Sequence, residues 1–144
     1  MDNEYPRGVE VVGSAIIEDS KGLILITKSP KWNGQWVFPG GHIDPGEKIA
    51  DAVIREAEEE TRLEIEPVEI VAWGELIDPK NFHRPAHFVY FDLYCKLKSG
   101  EVKLDGRELT EYKWLTPQNA LNLDLAEAYP EAIQKFIEYK RKNG

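Results

Sequence analysis

Residues 41–63 constrain the fold of this chain most strongly, because a glycine-bounded loop leads there into an amphipathic helix. Apolar side chains repeat at helical spacing and predict an α-helix from Ile49 to Thr61. At about 100° per residue, Glu56, Glu59 and Glu60 fall on one stripe that begins at the edge of the apolar face. The helix therefore carries three carboxylates on one side, next to the residues that it must bury.

An acidic cluster usually marks a solvated helix surface, and that interpretation accounts well for Glu58, which falls on the opposite flank. It accounts poorly for the shared stripe, because the helix C-terminus disfavours each anion by roughly 0.3–1 kcal/mol. Arg55 and Arg62 lie beyond Glu59 on the helical wheel and are poorly aimed to neutralise all three carboxylates. Oxygen ligands without Cys or His predict a hard divalent cation such as Mg²⁺ or Mn²⁺.

The rest of the chain is patterned mainly as β-strands. Strands are predicted at residues 9–17, 23–28, 36–38, 68–76, 86–98 and 111–115, with a loop at 29–35. Two further helices are predicted. One begins at Pro117 with Thr116 as its N-cap, and the other begins at Pro130. Because the helices are too few to cross over between every strand, the pattern favours a mixed α/β sandwich over a doubly wound sheet. The length favours one domain, residues 1–144.

Composition excludes several classes of function. The formal net charge of −8 argues against stable nucleic-acid binding or an anionic membrane partner, since both favour basic surfaces. No apolar stretch approaches the roughly 20 residues needed to span a bilayer. Cys95 is the only cysteine, which excludes an internal disulfide and favours a reducing cytoplasm. Its place in an apolar strand predicts a core thiol rather than a nucleophile.

The spacing from Gly41 through Glu47 to the run Arg55–Leu63 resembles the Nudix box, G-x5-E-x7-R-E-U-x-E-E-x-G-U, where U is a bulky aliphatic residue. Two positions depart from this pattern. Ala57 is smaller than the usual aliphatic residue, and Arg62 stands where the family has Gly. That Gly commonly ends a helix in the left-handed conformation, which would cost Arg on the order of 1 kcal/mol.

The resemblance implies an α/β/α sandwich with a mixed sheet, and Mg²⁺-dependent hydrolysis of a diphosphate linkage in a nucleoside triphosphate or other nucleoside diphosphate derivative. Nucleoside-diphosphate sugars are the alternative substrates, and a non-catalytic nucleotide-sensing module is the alternative role. A homodimer stays open. Carried over residue by residue, the implied metal ligands are Glu56, Glu59, Glu60 and the Gly41 carbonyl, and the implied supporting ion pair is Glu47 with Arg55.

A general base in such enzymes often comes from a later loop. Glu108 is the favoured candidate, because it follows the Asp105-Gly106 turn in a loop suited to closing over substrate. Glu111 is the alternative base, or else a surface strand residue or a metal ligand. If neither acts, Glu59 on the helix is the remaining candidate.

Candidate substrate contacts lie outside the box. Lys28, at the end of a strand, is a candidate for a phosphate, and Arg84 and His87 lie in and after the one long polar loop. His83 lies in the same loop and is a candidate on the same grounds as His87, although a single His is more often structural. Trp32 and Trp36 are suited either to stacking on a base or to the core, whereas core positions are expected for Trp73 and Trp114.

Overall fold

The computed structural model describes residues 4–144, which form seven strands, three α-helices and one short 3₁₀ turn at Pro30–Trp32. The strands are β1 (Val9–Glu18), β2 (Ile24–Ser29), β3 (Gln35–Val37), β4 (Gly40–His42), β5 (Glu64–Ile77), β6 (His87–Ser99) and β7 (Glu111–Leu115). The helices are α1 (Ile49–Thr61), α2 (Pro117–Ala120) and α3 (Tyr129–Asn143).

The strands form one mixed sheet in the order β3-β2-β1-β6-β5, with β4 paired to β1 and β7 paired to β2. Strands β1 and β6 run parallel, whereas the other pairs are antiparallel. The predicted mixed α/β class is therefore confirmed. In the described part of the chain, no helix is both long and apolar enough to cross a membrane.

A helix packs on each face of the sheet. On one face, α1 buries Val53 and Ala57 in a core that includes Leu93 and Cys95 of β6. On the other face, α3 buries Ile133 and Phe136. Cys95 is fully buried, and burial raises the pKa of its thiol to about 12, so the prediction of a core thiol is confirmed.

Helix α1 and strand β7 begin and end at the predicted residues, but other elements differ from expectation. Strand β4 was not predicted, since two of its three residues are glycines with low strand propensity. Strand β5 begins four residues early and contains Pro67, which an edge strand tolerates because one row of its N–H groups needs no partner. The core position expected for Trp73 is wrong, since this side chain on β5 is 68% exposed.

Arg62 ends helix α1 in the left-handed conformation, with φ +66°. Its N–H donates to the Glu58 carbonyl at 2.9 Å. The Arg therefore performs the backbone role that glycine commonly performs, and the turn into β5 is kept despite the departure from the family pattern.

Strand β4 lies so close to β1 that only glycine fits at Gly40. A Cβ there would lie 2.7 Å from the Cα of Ser14 and closer still to the carbonyl oxygen of Gly13. This close approach brings β4 against the central strand, with Gly41 paired to Gly13. Backbone contact at Gly40 thus fixes where the segment before α1 lies.

Gly40→Ala should lower the free energy of unfolding by about 3 kcal/mol or more, because the added methyl meets backbone that cannot move aside. Gly22→Ala is the matched control, since open space surrounds that position and only its φ of +81° opposes a side chain. Urea denaturation measures both. Equal costs for the two variants would contradict the close approach of β4 to β1.

Candidate active site

The end of helix α1 meets the backbone of β4. The Gly40 N–H donates to Glu60 Oε1 at 2.8 Å. A Cβ at Gly41 would lie 2.6 Å from Glu56 Oε2, so this glycine lets the backbone lie directly against the carboxylate. Two of the three predicted carboxylates therefore lie beside the Gly40–Gly41 backbone.

Arg55 connects the loop before α1 to the acidic stripe. Its guanidinium donates to both carboxylate oxygens of Glu47, at 2.8 and 2.9 Å, and to the carbonyl oxygen of His42 at 3.2 Å. It also donates to Glu56 Oε1 at 2.9 Å and to Glu59 Oε2 at 3.4 Å. The Arg55 hydrogen bonds, together with the Asp44 N–H, hold the pKa of Glu47 down at about 2.

The side chain of Arg55 thus reaches more carboxylates of the acidic stripe than its position on the helical wheel suggests. A helical wheel gives the direction of the Cα–Cβ bond only, whereas the long Arg side chain extends to Glu56 and Glu59. It forms no ion pair with Glu60, so the expectation that it would not neutralise all three carboxylates agrees with the described contacts.

The carboxyl group of Glu60 has a strongly perturbed pKa. Its side chain is buried at the edge of the core, with the residue only 7% exposed. Burial raises the pKa of Glu60 to about 8, and the charges of Glu56 and Glu108 act in the same direction against the Gly40 hydrogen bond. Burial also raises the pKa of Glu56, while the Arg55 hydrogen bond lowers it. Glu58 is exposed, as expected for a solvated position.

The donor chemistry here fits a hard divalent cation, because carboxylate oxygens and a backbone carbonyl are the ligands that Mg²⁺ prefers. In residues 4–144, no three His, Cys, Asp or Glu side chains converge closely enough to hold an ion as they stand. Arg55 occupies Glu56 and Glu59 instead. The raised pKa of Glu60 nevertheless means that its charged form lacks compensation, which a cation would supply.

The two loop acids have different surroundings. Glu108 Oε2 pairs with Lys31 Nζ at 2.9 Å, and its charge raises the pKa of both Glu56 and Glu60. Glu111 lies on β7 and pairs with Lys28 at 3.3 Å. The structure therefore brings Glu108 to the acidic helix, and it places Glu111 in a strand ion pair with Lys28.

A cavity of about 160 Å³ opens beside the acidic stripe. Glu60, Glu108, Ser14 and Asp92 are among the residues that line it. Phe82, from the loop between β5 and β6, also contributes to its lining. Of the three carboxylates on the stripe, Glu60 is the one that lines the cavity.

The predicted substrate residues divide into two groups. Arg84 and His83 line the cavity, as does Trp32. The other candidates are not among its lining residues. Lys28 lies against Glu111 and the ring of Trp36, and His87 lies 3.8 Å from Glu75.

Sequence reasoning missed Lys31, Ser14 and Asp92 as cavity residues. Asp92 carried a usable signal, because a carboxylate inside the apolar run of residues 88–95 is unusual in a buried strand. Lys31 and Ser14 carried none, since their placement depends on the 3₁₀ turn and on the pairing of β1 with β6.

Comparison with known proteins matches this chain to one family. A family model described as the NUDIX domain matches residues 9–136. The chain is 31% identical over 107 residues to the nucleoside triphosphatase NudI of Escherichia coli. The alignment covers 70% of this chain and 75% of that protein.

Solved structures agree with this match. The MutT protein from Methanosarcina mazei Go1 superposes with a TM-score of 0.73 at 26% identity, covering 97% of each chain. The MutT NUDIX hydrolase from Burkholderia pseudomallei superposes with a TM-score of 0.74 at 26% identity, covering 90% of this chain and 98% of the other.

The perturbed carboxyls predict how stability depends on pH. Glu60, with a pKa of about 8, keeps its proton in the folded protein while the unfolded chain loses it near 4.5. Without divalent cations, the free energy of unfolding should therefore fall as pH rises from about 4.5 to 8. Asp92, with a pKa of about 7, adds to the same trend.

Urea denaturation across this pH range measures the effect. Glu60→Gln should flatten the slope, because the amide cannot ionise, whereas Glu58→Gln on the exposed flank should leave it unchanged. A Glu60→Gln protein with the slope of the unaltered chain would contradict the assignment of the raised pKa to Glu60.

Proposed function

Since this chain belongs to the Nudix family and is a Nudix pyrophosphohydrolase, we propose that it performs Mg²⁺-dependent hydrolysis of a diphosphate linkage in nucleoside triphosphates. The observation that carries the metal dependence is the buried Glu60 carboxyl, whose charged form has no ion-pair partner among the described residues. The similarity to a nucleoside triphosphatase supports the substrate class.

Glu56, Glu59, Glu60 and the Gly41 carbonyl would hold the ion. Bound there, it would neutralise phosphate charge and lower the pKa of water. Binding requires Arg55 to give up Glu56 and Glu59, and its two hydrogen bonds to Glu47 would keep it in place meanwhile. The Glu47–Arg55 pair thus supports the loop rather than taking part in the chemistry.

Glu108 takes the proton from the attacking water in this proposal. It lies within electrostatic range of Glu56 and Glu60, and its ion pair with Lys31 keeps it at the cavity. A substrate phosphate would attract Lys31 away, because a doubly charged phosphate competes well with one exposed carboxylate. Glu108 would then be free to accept a proton when substrate is present.

Hydrolysis of a panel of nucleoside triphosphates tests the function. We expect turnover with Mg²⁺ or Mn²⁺, loss of turnover in excess chelator, and recovery when metal is returned. Separate assays for phosphate and pyrophosphate identify the bond that breaks. Turnover that persists in excess chelator would contradict the metal assignment, and turnover of nucleoside-diphosphate sugars alone would contradict the substrate class.

Carboxylate-to-amide variants of the helix complete this test. Glu59→Gln and Glu60→Gln should each lower kcat by about 10²-fold or more, because each removes a charged ligand. Glu58→Gln is the matched control, since it makes the same change on the exposed flank of the same helix. Equal, small effects at all three positions would mean that the stripe is an ordinary acidic surface and not a metal site.

The general base is tested by Glu108→Gln and Glu111→Gln. Glu108→Gln should lower kcat about 10²–10⁴-fold and flatten the acid limb of the pH–rate profile, with little change in metal affinity or unfolding free energy. Glu111→Gln should behave as the unaltered enzyme, because Glu111, unlike Glu108, is not among the residues that line the cavity. The reverse result would place the base at Glu111, and no effect from either would move it to Glu59.

A further inference from the structure

An uncovered apolar face extends across strands β1, β6 and β5, beyond the part of the sheet on which α1 packs. Seven large hydrophobic side chains are exposed in residues 4–144, and five of them lie on this β1–β6–β5 face. These five are Val9, Val11, Ile70, Trp73 and Ile77, which are between 39% and 68% exposed. Single exposed apolar residues are normal on a protein surface, whereas a contiguous patch marks an interaction site.

The strand register shows that these side chains share one face. Trp73 is paired with Phe91, which is paired in turn with Gly13. Helix α1 covers Gly13, because a Cβ there would lie 2.9 Å from a side chain of the helix. Ile70 is paired with Leu93, which belongs to the core under α1. Side chains alternate between faces, so the positions two and four residues away lie on the same side: Val9 and Val11, His87 and Val89, and Glu75 and Ile77.

The open edge of β5 is poorly suited to pairing with another strand. Pro67 has no N–H to donate, and the register of β5 against β6 shifts between Pro67 and Glu69 and again between Ile70 and Ala72. Such irregularities, together with exposed charges such as Glu66 and Glu69, protect an edge against extension of the sheet. Association at β5 is therefore expected through the apolar face and not through the backbone.

The charges on the β1–β6–β5 face suit a second copy of the same chain. Among the positions of this face, the titratable ones are Glu75 and His87, whose Oε2 and Nε2 lie 3.8 Å apart. In a twofold interface the same residues meet in both directions, so a second copy offers a carboxylate to His87 and an imidazole to Glu75. A basic partner would instead be attracted to the acidic surface elsewhere on a chain of net charge −8.

The area of the face matches a reversible dimer. Its five exposed side chains leave about 200–400 Å² of apolar surface per copy, at about 60–120 Å² for each whole aliphatic side chain and about 150–250 Å² for a whole Trp. Apolar groups make up about 56–65% of an interface, so two copies would bury about 700–1,300 Å² in total. Interfaces of about 1,200 Å² are at the lower end of stable complexes, and smaller ones are transient.

From the register, the charges and the area, we propose that two copies of this chain associate through the β1–β6–β5 face as a reversible twofold dimer, with Trp73 and Ile77 as its main apolar contacts. The proposal does not depend on the proposed function, because none of the five exposed apolar residues lines the cavity. It assigns a role to the exposed Trp73, which the hydrolysis does not use.

Sedimentation velocity over a dilution series tests the dimer. We expect a mass near the 16.5 kDa of one chain at about 1 μM, and a mass approaching twice that value at about 1 mM. Added salt should strengthen the association, because it screens the repulsion between two chains of charge −8. A single-chain mass throughout the series would overturn the second copy as the occupant and leave the face to a different protein.

Trp73→Glu and Ile77→Glu test the face. Each variant places a carboxylate where the second copy would bury it, and each should raise the dissociation constant by about tenfold or more. Both should keep the unfolding free energy of the single chain, because both side chains are exposed. Tyr112→Glu is the matched control, since it makes the same kind of change at an exposed apolar position on β7, outside the face. A dimer that both variants leave intact, or that the control weakens equally, would overturn the assignment to this face.

Fluorescence of Trp73 gives a readout that does not depend on a disruptive variant. The difference in acrylamide quenching between the unaltered chain and Trp73→Phe isolates the signal of Trp73. Quenching of this signal should fall as the protein concentration rises, because the second copy covers the ring. Unchanged quenching across a series in which the mass doubles would place the interface elsewhere and overturn the proposal.

Discussion

The carboxyl group of Glu60 lies against the Gly40 N–H, and this contact links the acidic helix to the central part of the sheet. It forms only because β4 approaches β1 closely enough to exclude any side chain at Gly40. It also requires Gly41 to carry no side chain, since the Glu56 carboxylate occupies that space. The backbone of β4 thus determines where the end of α1 presents its charges.

The charged groups around this contact are divided between two environments. On one side, Arg55 holds the pKa of Glu47 at about 2, so this pair is ionised at any physiological pH. On the other side, burial brings the pKa of Glu60 to about 8, so its carboxyl is largely protonated near neutrality unless a cation arrives. A metal ion entering the site would therefore displace protons, and its apparent affinity would rise with pH.

Local patterns predicted the parts of the fold that local chemistry determines. The apolar spacing of residues 49–61 gave the bounds of α1, and Thr116 with Pro117 gave the start of α2, where the Thr side chain accepts from Asn119. Strand β4 escaped prediction because it is a strand only through its pairing with β1. The same limit applied to Trp73, whose exposure depends on tertiary packing over the sheet rather than on the local sequence. The box residues share one helix and loop, whereas Asp92 and Lys31 reach the cavity from distant segments, so spacing alone could not identify them.

The ion pair between Arg84 and Glu10 has a consequence for the kinetics of binding. It ties the loop that carries Phe82 to the first strand, and a backbone hydrogen bond from His83 to Lys31 ties the same loop to the segment after β2. Both attachments are made by residues of the protein alone. A cavity wall that is already ordered spares the ligand the entropic cost of ordering it, so affinity is not reduced by a preceding conformational equilibrium. Association at this wall should then be limited by diffusion and electrostatic repulsion from the acidic surface rather than by loop rearrangement, and salt, which screens that repulsion, should accelerate it.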